Sequence, residues 1–555
     1  MNMRSFLQKH HRIVFYAAWI FLGLIQSGFT ELRDDEAYYW VYSQYPDWGY
    51  YDHPPMIAML IRIGYWIFPD ELGIRLLPLL LNTLSLVIIE KLTVNKQPFL
   101  FYAIALSVAV LQLSGFIAVP DIPLIFFTGL FFLCYKRFTR DHSLLNTFLL
   151  GIAIALLFYS KYHAVLVVLF TVLSNIRLLK RYQFWLAGFI ALLLFVPHIL
   201  WQYQHDWVSF RYHLLESHVN DYKFSFTTEY ILGQLLLPGP LAGFILLPAA
   251  FLYKPIEPFE RTMKYSMVGI YIFFLLSTLR GNVEANWTAP VMVPLIVLSH
   301  QFLLEKLNWQ KWLLRLLPAT MVLVLFARVF MLVDILPLKA IRSTYHAWKQ
   351  WPAEMKERTN GSLIVFNNSY QRASKYWFYS GQMTYSQNWL RERKNNFNYW
   401  PVEDSMLGKP VHILDIYDMD RYTDSIKTPI GWIGYRFEPK FNSFAKVIIK
   451  PSVSSIKIRQ GERFLLNCKT SLPQHYYDFM SSNEILAETR IGVFGKKGWI
   501  KDLPVHYTLR EMINRNVDIE IDPQLPAGKY FLRFGIQAPG GMQTHNSEKI
   551  KLVVE

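Results

Sequence analysis

The 555-residue sequence is 53% hydrophobic and 16% aromatic, with mean hydropathy +0.19 and formal net charge +15. That apolar balance excludes a purely soluble protein, and basic residues clustered in short groups between apolar runs, rather than along one groove, exclude a nucleic-acid binder. Two cysteines, Cys134 in an apolar run and Cys468 in a polar tail, exclude a disulfide framework or a cysteine metal site.

About 20 apolar residues make one membrane crossing. The first run, Ile13–Phe29, follows Arg4, Lys9 and Arg12, lacks a small-x-small cleavage site and reads as a retained span. Then comes Glu31–Pro55, which sets Asp34, Asp35 and Glu36 among aromatics and ends in Asp52-His53-Pro54-Pro55. Acids beside a bilayer are costly and point to function; the plainer reading is an external loop whose Tyr and Trp form an interfacial belt. Further spans are Leu72–Ile89, Pro98–Val119, Ile122–Tyr135, Leu144–Ser160, Ala164–Ile176, Gln183–Tyr203, Tyr230–Tyr253, Tyr265–Leu279, Ala285–Leu304 and Leu316–Val333. Ile122–Tyr135 and Ala164–Ile176 are short for a crossing.

Lys and Arg favour the cytoplasmic side. With the N-terminus inside, the inner loops carry Lys91/Lys96, Lys136/Arg137/Arg140, Arg177/Lys180/Arg181, Lys254/Arg261/Lys264 and Lys306/Lys311/Arg315. The outer loops carry the three acids, Val119-Pro120-Asp121-Ile122-Pro123, Lys161-Tyr162-His163, Gln204–Thr228, Arg280–Glu284 and everything after about residue 336. Counting Met56–Phe68 as a crossing would invert this pattern, so it is expected to lie along the outer surface with Arg62 snorkelling to headgroups. About eleven spans result, with an inside N-terminus and an outside C-terminus.

The expected domains are a transmembrane region, 1–338; a small extracytoplasmic α/β unit, 339–442; and a β-sandwich-like domain, 443–555. In the middle unit, Leu363–Phe366 and Val411–Leu414 read as strands and Ser369–Tyr379 as a helix. From Ala445 alternation marks strands at Lys446–Lys450, Ser455–Ile458, Phe464–Cys468, Val517–Ile521, Tyr530–Ile536 and Lys549–Val554. Turn signals at Gln460-Gly461, Pro526-Ala527-Gly528 and Pro539-Gly540-Gly541 separate them.

The outer face collects the candidate chemistry. Asp34, Asp35, Glu36, Asp52, Asp121 and Glu284 are candidate general bases, and paired acids equally suit a divalent cation. Arg75, Lys161 and Arg280 are placed to offset the negative charge of a phosphate. Plainer readings stand beside these: Asp121 shapes a proline turn, and Lys161 and Trp287 anchor the interface. His53 and His163 read as hydrogen-bonded structural residues without zinc spacing, and Trp377, Tyr399 and Trp400 as packing.

The ordered set Asp34-Asp35-Glu36-Ala37-Tyr38-Tyr39-Trp40, Trp48-Gly49-Tyr50-Tyr51-Asp52-His53-Pro54-Pro55, Pro120-Asp121-Ile122-Pro123-Leu124 and Ser160-Lys161-Tyr162 resembles the C-type membrane glycosyltransferases. The loop Trp201–His213, Gly281-Asn282-Val283-Glu284-Ala285-Asn286-Trp287 and the stretch from Ser369-Tyr370-Gln371 to Phe378-Tyr379 extend the resemblance over about residues 10–400. It is nearest to the branch of dolichyl-phosphate-mannose protein mannosyltransferases and bacterial lipid A aminoarabinose transferases. The resemblance implies inverting sugar transfer from a polyprenyl-phosphate donor to a lipid, protein or glycan acceptor, at the extracytoplasmic face of the plasma (inner) membrane. It implies that Asp35 is the base, supported by Glu36, that Lys161 and Tyr162 contact the donor phosphate, and that Glu284 arranges the cavity. Asp52, His53, Asp121, Asn286, Trp287 and Tyr370 fall in matching motifs as cavity residues, and the doubled Asp34-Asp35 leaves both as candidates for the base. Met56–Phe68 corresponds to a juxtamembrane helix walling the cavity. The rival readings are a flippase for lipid-linked saccharides, which predicts mid-span charges or internal symmetry, and a non-catalytic glycan-binding membrane protein, which predicts loss of the acidic pair.

Overall fold

A computed structural model describes residues 9–216, 221–335, 338–417, 422–483, 487–496, 498–513, 515–537 and 542–555. Arg4, residues 217–220 of the Gln204–Thr228 loop and the Pro539-Gly540-Gly541 turn lie outside the described residues. The chain divides into two units, Met1–His346 and Ala347–Glu555.

In the first unit, among the described residues, six helices are long and apolar enough to cross a membrane: His11–Phe29, Glu71–Leu92, Asp121–Arg140, Tyr182–Gln204, Ala285–Glu305 and Leu307–Leu332. Shorter apolar helices lie at Met56–Ile67, Pro98–Ser107, Leu144–Ser160, Ala164–Ser174 and Gly243–Leu252. Their starts follow local chemistry. Asp70 accepts from the Gly73 N–H at 3.0 Å to cap Glu71–Leu92, and Ser143 caps Leu144–Ser160. The short candidate at 122–135 extends as Asp121–Arg140, so its length reaches a full crossing.

Two expected spans are broken. Pro98–Val119 is two helices, Pro98–Ser107 and Ala109–Leu113, parted at Val108 (φ −80°, ψ 90°). Tyr230–Tyr253 is likewise Phe224–Leu236 and Gly243–Leu252, parted around Pro238-Gly239-Pro240, where proline supplies no N–H and Gly239 takes φ +132°. The breaks meet: a Cβ on Gly239 would lie 2.5 Å from the Ser107 carbonyl oxygen, so only glycine fits.

Met56–Ile67 is amphipathic. Ile57, Ile61 and Gly64 are buried while Met59, Ile63 and Trp66 are exposed, the spacing of a one-sided helix. Its 12 residues reach about 18 Å, short of the ~30 Å hydrocarbon core. It packs on Glu71–Leu92 through glycine: a Cβ on Gly64 would lie 2.1 Å from the Gly73 oxygen. Arg62 does not extend toward headgroups as expected, because its guanidinium donates to the Ser43 carbonyl at 2.6 Å and ties this helix to the preceding helix, Asp34–Gln44.

The second unit is a mixed β structure. Its first sheet has the order β2-β1-β3-β5-β4, with β1 Leu363–Asn367, β2 Thr384–Gln387, β3 Val411–Asp415, β4 Asp424–Thr428 and β5 Gly431–Glu438. β1 runs parallel to β2 and β3, with helix Tyr370–Ser380 as the crossover, and β5 is antiparallel to β3 and β4. Beyond it are β6 Ile448–Pro451, β7 Ser455–Ile458, β8 Phe464–Ser471, β9 Glu488–Gly495, β10 Gly498–Thr508, β11 Asn516–Ile521, β12 Gly528–Gln537 and β13 Ile550–Val554. They form sheets β10-β9-β12-β13-β7 and β11-β8-β6. Val493, Phe534 and Leu552 of one and Leu466, Cys468 and Ile519 of the other share one apolar core.

Candidate active site

The acids open a helix, Asp34–Gln44, whose first turn holds Asp34, Asp35 and Glu36, where negative charge meets the positive end of the helix dipole. Glu36 turns inward and accepts the Arg33 N–H at 2.9 Å and the Ala118 N–H at 2.9 Å. Arg75 grips it with two nitrogens, at 2.7 and 2.6 Å, and both side chains are wholly buried. Burial alone would raise the Glu36 pKa, but Arg75 and the backbone donors outweigh it and hold the carboxyl below its usual range. Arg75 also donates to the carbonyls of Ser27, Thr30 and Glu31, so its five N–H groups make five hydrogen bonds.

Beside this pair lies a cavity of about 450 Å³. Among the described residues its wall takes Asp35, Asp52, His53, Asp121, Lys161, Glu284, Asn286 and Trp287, which the sequence scatters over some 250 positions. It leaves out Asp34, Glu36, Tyr162, Arg75 and Arg280. The doubled aspartate is thereby separated: Asp35 faces the cavity and Asp34 does not.

Asp121 links two of these residues. One of its carboxylate oxygens takes the Lys161 ammonium at 2.8 Å and the other takes the Asn286 amide at 3.0 Å. Lys161 is held on the C-cap of Leu144–Ser160 and is mostly buried, so its direction is fixed by this bond rather than by solvent. Glu284 precedes the turn Ala285–Val291 and accepts from the Asn282 amide at 3.0 Å.

The aromatics of the loop secure Asp52 and His53. Tyr42 donates to the Asp52 carboxylate, and burial together with that carboxylate pushes the phenol well above its ordinary pKa, so it stays a donor. Tyr42 stacks on Tyr50 at 4.1 Å, and the Tyr39 hydroxyl meets His53 Nε2 at 3.0 Å. Burial, opposed by Asp52, lowers His53 to about 4, leaving the ring neutral near pH 7.

Several expected contacts resolve differently. Arg75, expected at the donor phosphate, has every donor spent on Glu36 and three carbonyls. Tyr162 stands behind the wall, where its hydroxyl accepts the Gln202 amide at 2.9 Å and meets His198 Nε2 at 3.2 Å. Arg280 is exposed and donates to the Leu214 carbonyl at 3.3 Å. Tyr370 belongs to the second unit and accepts from Arg393 at 2.9 Å. Among the described residues no three His, Cys, Asp or Glu side chains gather closely enough to hold a metal ion by themselves.

Sequence reasoning passed over Arg33, His163 and His213 as cavity residues. Arg33 is the one cation within the acidic string, which was a usable signal. His213 Nε2 meets the Asp52 carbonyl at 2.9 Å through a fold-back that no local pattern announces. The inner supports Gln202 and Ser209, with Ser209 donating to the Tyr50 carbonyl at 2.7 Å, bind the first loop to the Trp201–His213 loop.

The chain is an integral membrane protein with multiple spans, a helical unit with an acid-lined cavity followed in the sequence by a mixed β unit. Residues 52–201, which include Asp52, Asp121 and Lys161, match the family described as dolichyl-phosphate-mannose-protein mannosyltransferase. The chain is 26% identical over 308 residues to the lipid A galacturonosyltransferase RgtD of Rhizobium johnstonii, a match covering 51% of this chain and 63% of that relative. It thus spans less than two thirds of that relative's length. Its fold is shared with ArnT from Cupriavidus metallidurans in the apo state, at TM-score 0.58 and 12% identity, over 77% of this chain and 98% of that one. The same holds for ArnT bound to undecaprenyl phosphate, at TM-score 0.56 and 13% identity, over 76% and 97%. The class resemblance read from the sequence is borne out.

Proposed function

We propose that the chain transfers a sugar, with inversion, from a polyprenyl-phosphate-linked donor to an acceptor hydroxyl or phosphate. The carrying observation is one cavity that holds Asp35 together with a lysine aimed by Asp121. In the hydroxyl case Asp35 takes the acceptor proton as the oxygen attacks the anomeric carbon, the bond from that carbon to the phosphate oxygen breaks, and the phosphate departs with the electron pair. Lys161 and Arg33 meet its charge, Asn286 and Asp121 hold Lys161, and no step requires a metal. Glu36 supports Asp35 indirectly, by fixing the first turn of its helix against Arg75.

The inside basic loops support about eleven crossings, counting the two broken helices as one each, with a cytoplasmic N-terminus and the cavity on the extracytoplasmic face of the plasma membrane. In that arrangement residues 1–338 are the transferase domain, and 339–442 and 443–555 are an extracytoplasmic α/β unit and a β-sandwich-like domain. The name of the Rhizobium relative supports a lipid A acceptor, and the undecaprenyl phosphate of the ArnT structure supports that carrier.

Purified protein supplied with a panel of polyprenyl-phosphate sugars and lipid A tests this. Transfer is expected for one donor and a drop of about 10² to 10⁴-fold in Asp35→Asn. Equal turnover by both proteins, or flipping without transfer, overturns the reading.

A further inference from the structure

We propose that the end of the helical unit remote from the sugar cavity carries a second anion site, which holds the phosphate of an anionic phospholipid headgroup. The helix Asp121–Arg140 has Asp121 on the sugar cavity at its start, and near its end Tyr135 and Thr139 line another cavity of about 370 Å³. Twenty residues of helix rise about 30 Å, the thickness of the hydrocarbon core, so the two cavities open at opposite membrane faces.

Three arginines converge on the second cavity from separate segments. Arg177 comes from the turn Ile176–Lys180, Arg181 from the cap of Tyr182–Gln204, and Arg261 from the start of Pro258–Ser277. Among the described residues no carboxylate lines this cavity, and no ion pair or hydrogen bond engages the three guanidinium groups. Three like charges brought together without a partner repel one another, and an anion between them relieves the repulsion. The planar guanidinium fork matches phosphate oxygens in pairs.

The surroundings select a lipid over free phosphate. Buried Leu178 and Phe259 form an apolar floor, and the adjoining surface exposes Ile176, Leu179, Tyr182 and Trp185, with the Trp185 indole donating to the Leu179 carbonyl at 2.9 Å. Exposed aliphatic and aromatic side chains beside a basic pocket suit a glycerol backbone and acyl chains under a headgroup. A neighbouring basic cavity, with Lys91, Lys96, Lys136, Arg137 and Arg140, has Glu257 on its wall, its Lys136 lies over the Phe259 ring at 4.8 Å, and most of its cations are lysines, which lack the guanidinium fork, so it is the poorer match to paired phosphate oxygens. Placing the arginine site on the cytoplasmic face rests on the topology proposed above; the binding itself does not.

Native mass spectrometry of the full chain in detergent, titrated with phosphatidylglycerol or phosphatidylcholine, tests the site without reference to sidedness or sugar transfer. Preferential retention of phosphatidylglycerol is expected, falling about five-fold for each arginine in R261Q and in R177Q/R181Q/R261Q. Retention is expected to be unchanged in K91Q/R137Q/R140Q. Equal retention by wild type and R261Q overturns the site, and so does a loss confined to K91Q/R137Q/R140Q. Displacement of the lipid by millimolar inorganic phosphate overturns the lipid assignment in favour of a free-phosphate site. R261Q keeps two arginines and decides the matter if the triple variant fails to fold.

Discussion

Arg75 holds both carboxylate oxygens of Glu36, and neither side chain reaches solvent. The pair fixes the first turn of the helix that carries Asp35, so a salt bridge that is itself off the cavity wall helps to orient the proposed base. Truncating one partner leaves the other charge buried and alone, which costs ~3–5 kcal/mol. Arg75→Met and Glu36→Gln are expected to lower thermal stability sharply, with activity falling in proportion to folded protein. Because the Glu36 pKa is held below its ordinary value, its contribution is present above the usual carboxylate range and is lost only as pH falls through the depressed value. Thermal scans at acid pH should show this limb in the wild type and not in Glu36→Gln.

The two aspartates make a sharper contrast. Asp35→Asn should reduce kcat by about 10² to 10⁴-fold with little change in melting temperature. Asp34→Asn, off the cavity wall, should stay near wild type. Steady-state kinetics of the two single variants read the difference.

Lys161 and Asp121 should divide between binding and aim. Lys161→Met removes a charge-assisted contact worth ~1.5–3 kcal/mol and is expected to raise the donor KM roughly ten- to a hundred-fold. Asp121→Asn leaves the ammonium in place without its 2.8 Å tether, so a smaller rise in KM is expected. Varying donor concentration at saturating acceptor measures both.

His53 supplies a second pH window. It titrates at about 4 in the fold and near 6.5 in an unfolded chain, so between those values only the unfolded state takes the proton. Stability therefore falls as pH drops through that window and levels off below it. His53→Gln should flatten the slope of melting temperature between pH 6.5 and 4.5.

How much of this was legible differs by element. The long helices followed from apolar length alone, and the cavity residues Asp35, Asp121 and Lys161 came from motif order. Arg75 and Lys161 could not be told apart in sequence: charge counting expects both to be cations at the outer end of a span. What separates them is a partner, since Arg75 meets a buried carboxylate and three carbonyls whereas Lys161 reaches the cavity wall. The breaks at Val108 and Gly239 escaped an apolar count because hydropathy is blind to backbone direction, although Pro238-Gly239-Pro240 carried the chemistry of a break. In the second unit β4 and β5 were missed because polar and glycine residues interrupt their alternation, while β8 and β11, which alternate cleanly, were found.

Those two breaks bear on how the proposed transferase would diversify. Backbone that leaves the helix within a membrane must be buried in protein or line a cavity, and here Val110, Leu111 and Leu237, beside the breaks, line the cavity that holds Asp35. Part of its greasy wall thus comes from the interrupted helices, whereas Asp35 and Asp121 sit in the first turns of the helices Asp34–Gln44 and Asp121–Arg140. Under the proposed function, selection can reshape the fit to an isoprenoid tail by exchanging aliphatic residues there, leaving the sugar chemistry intact.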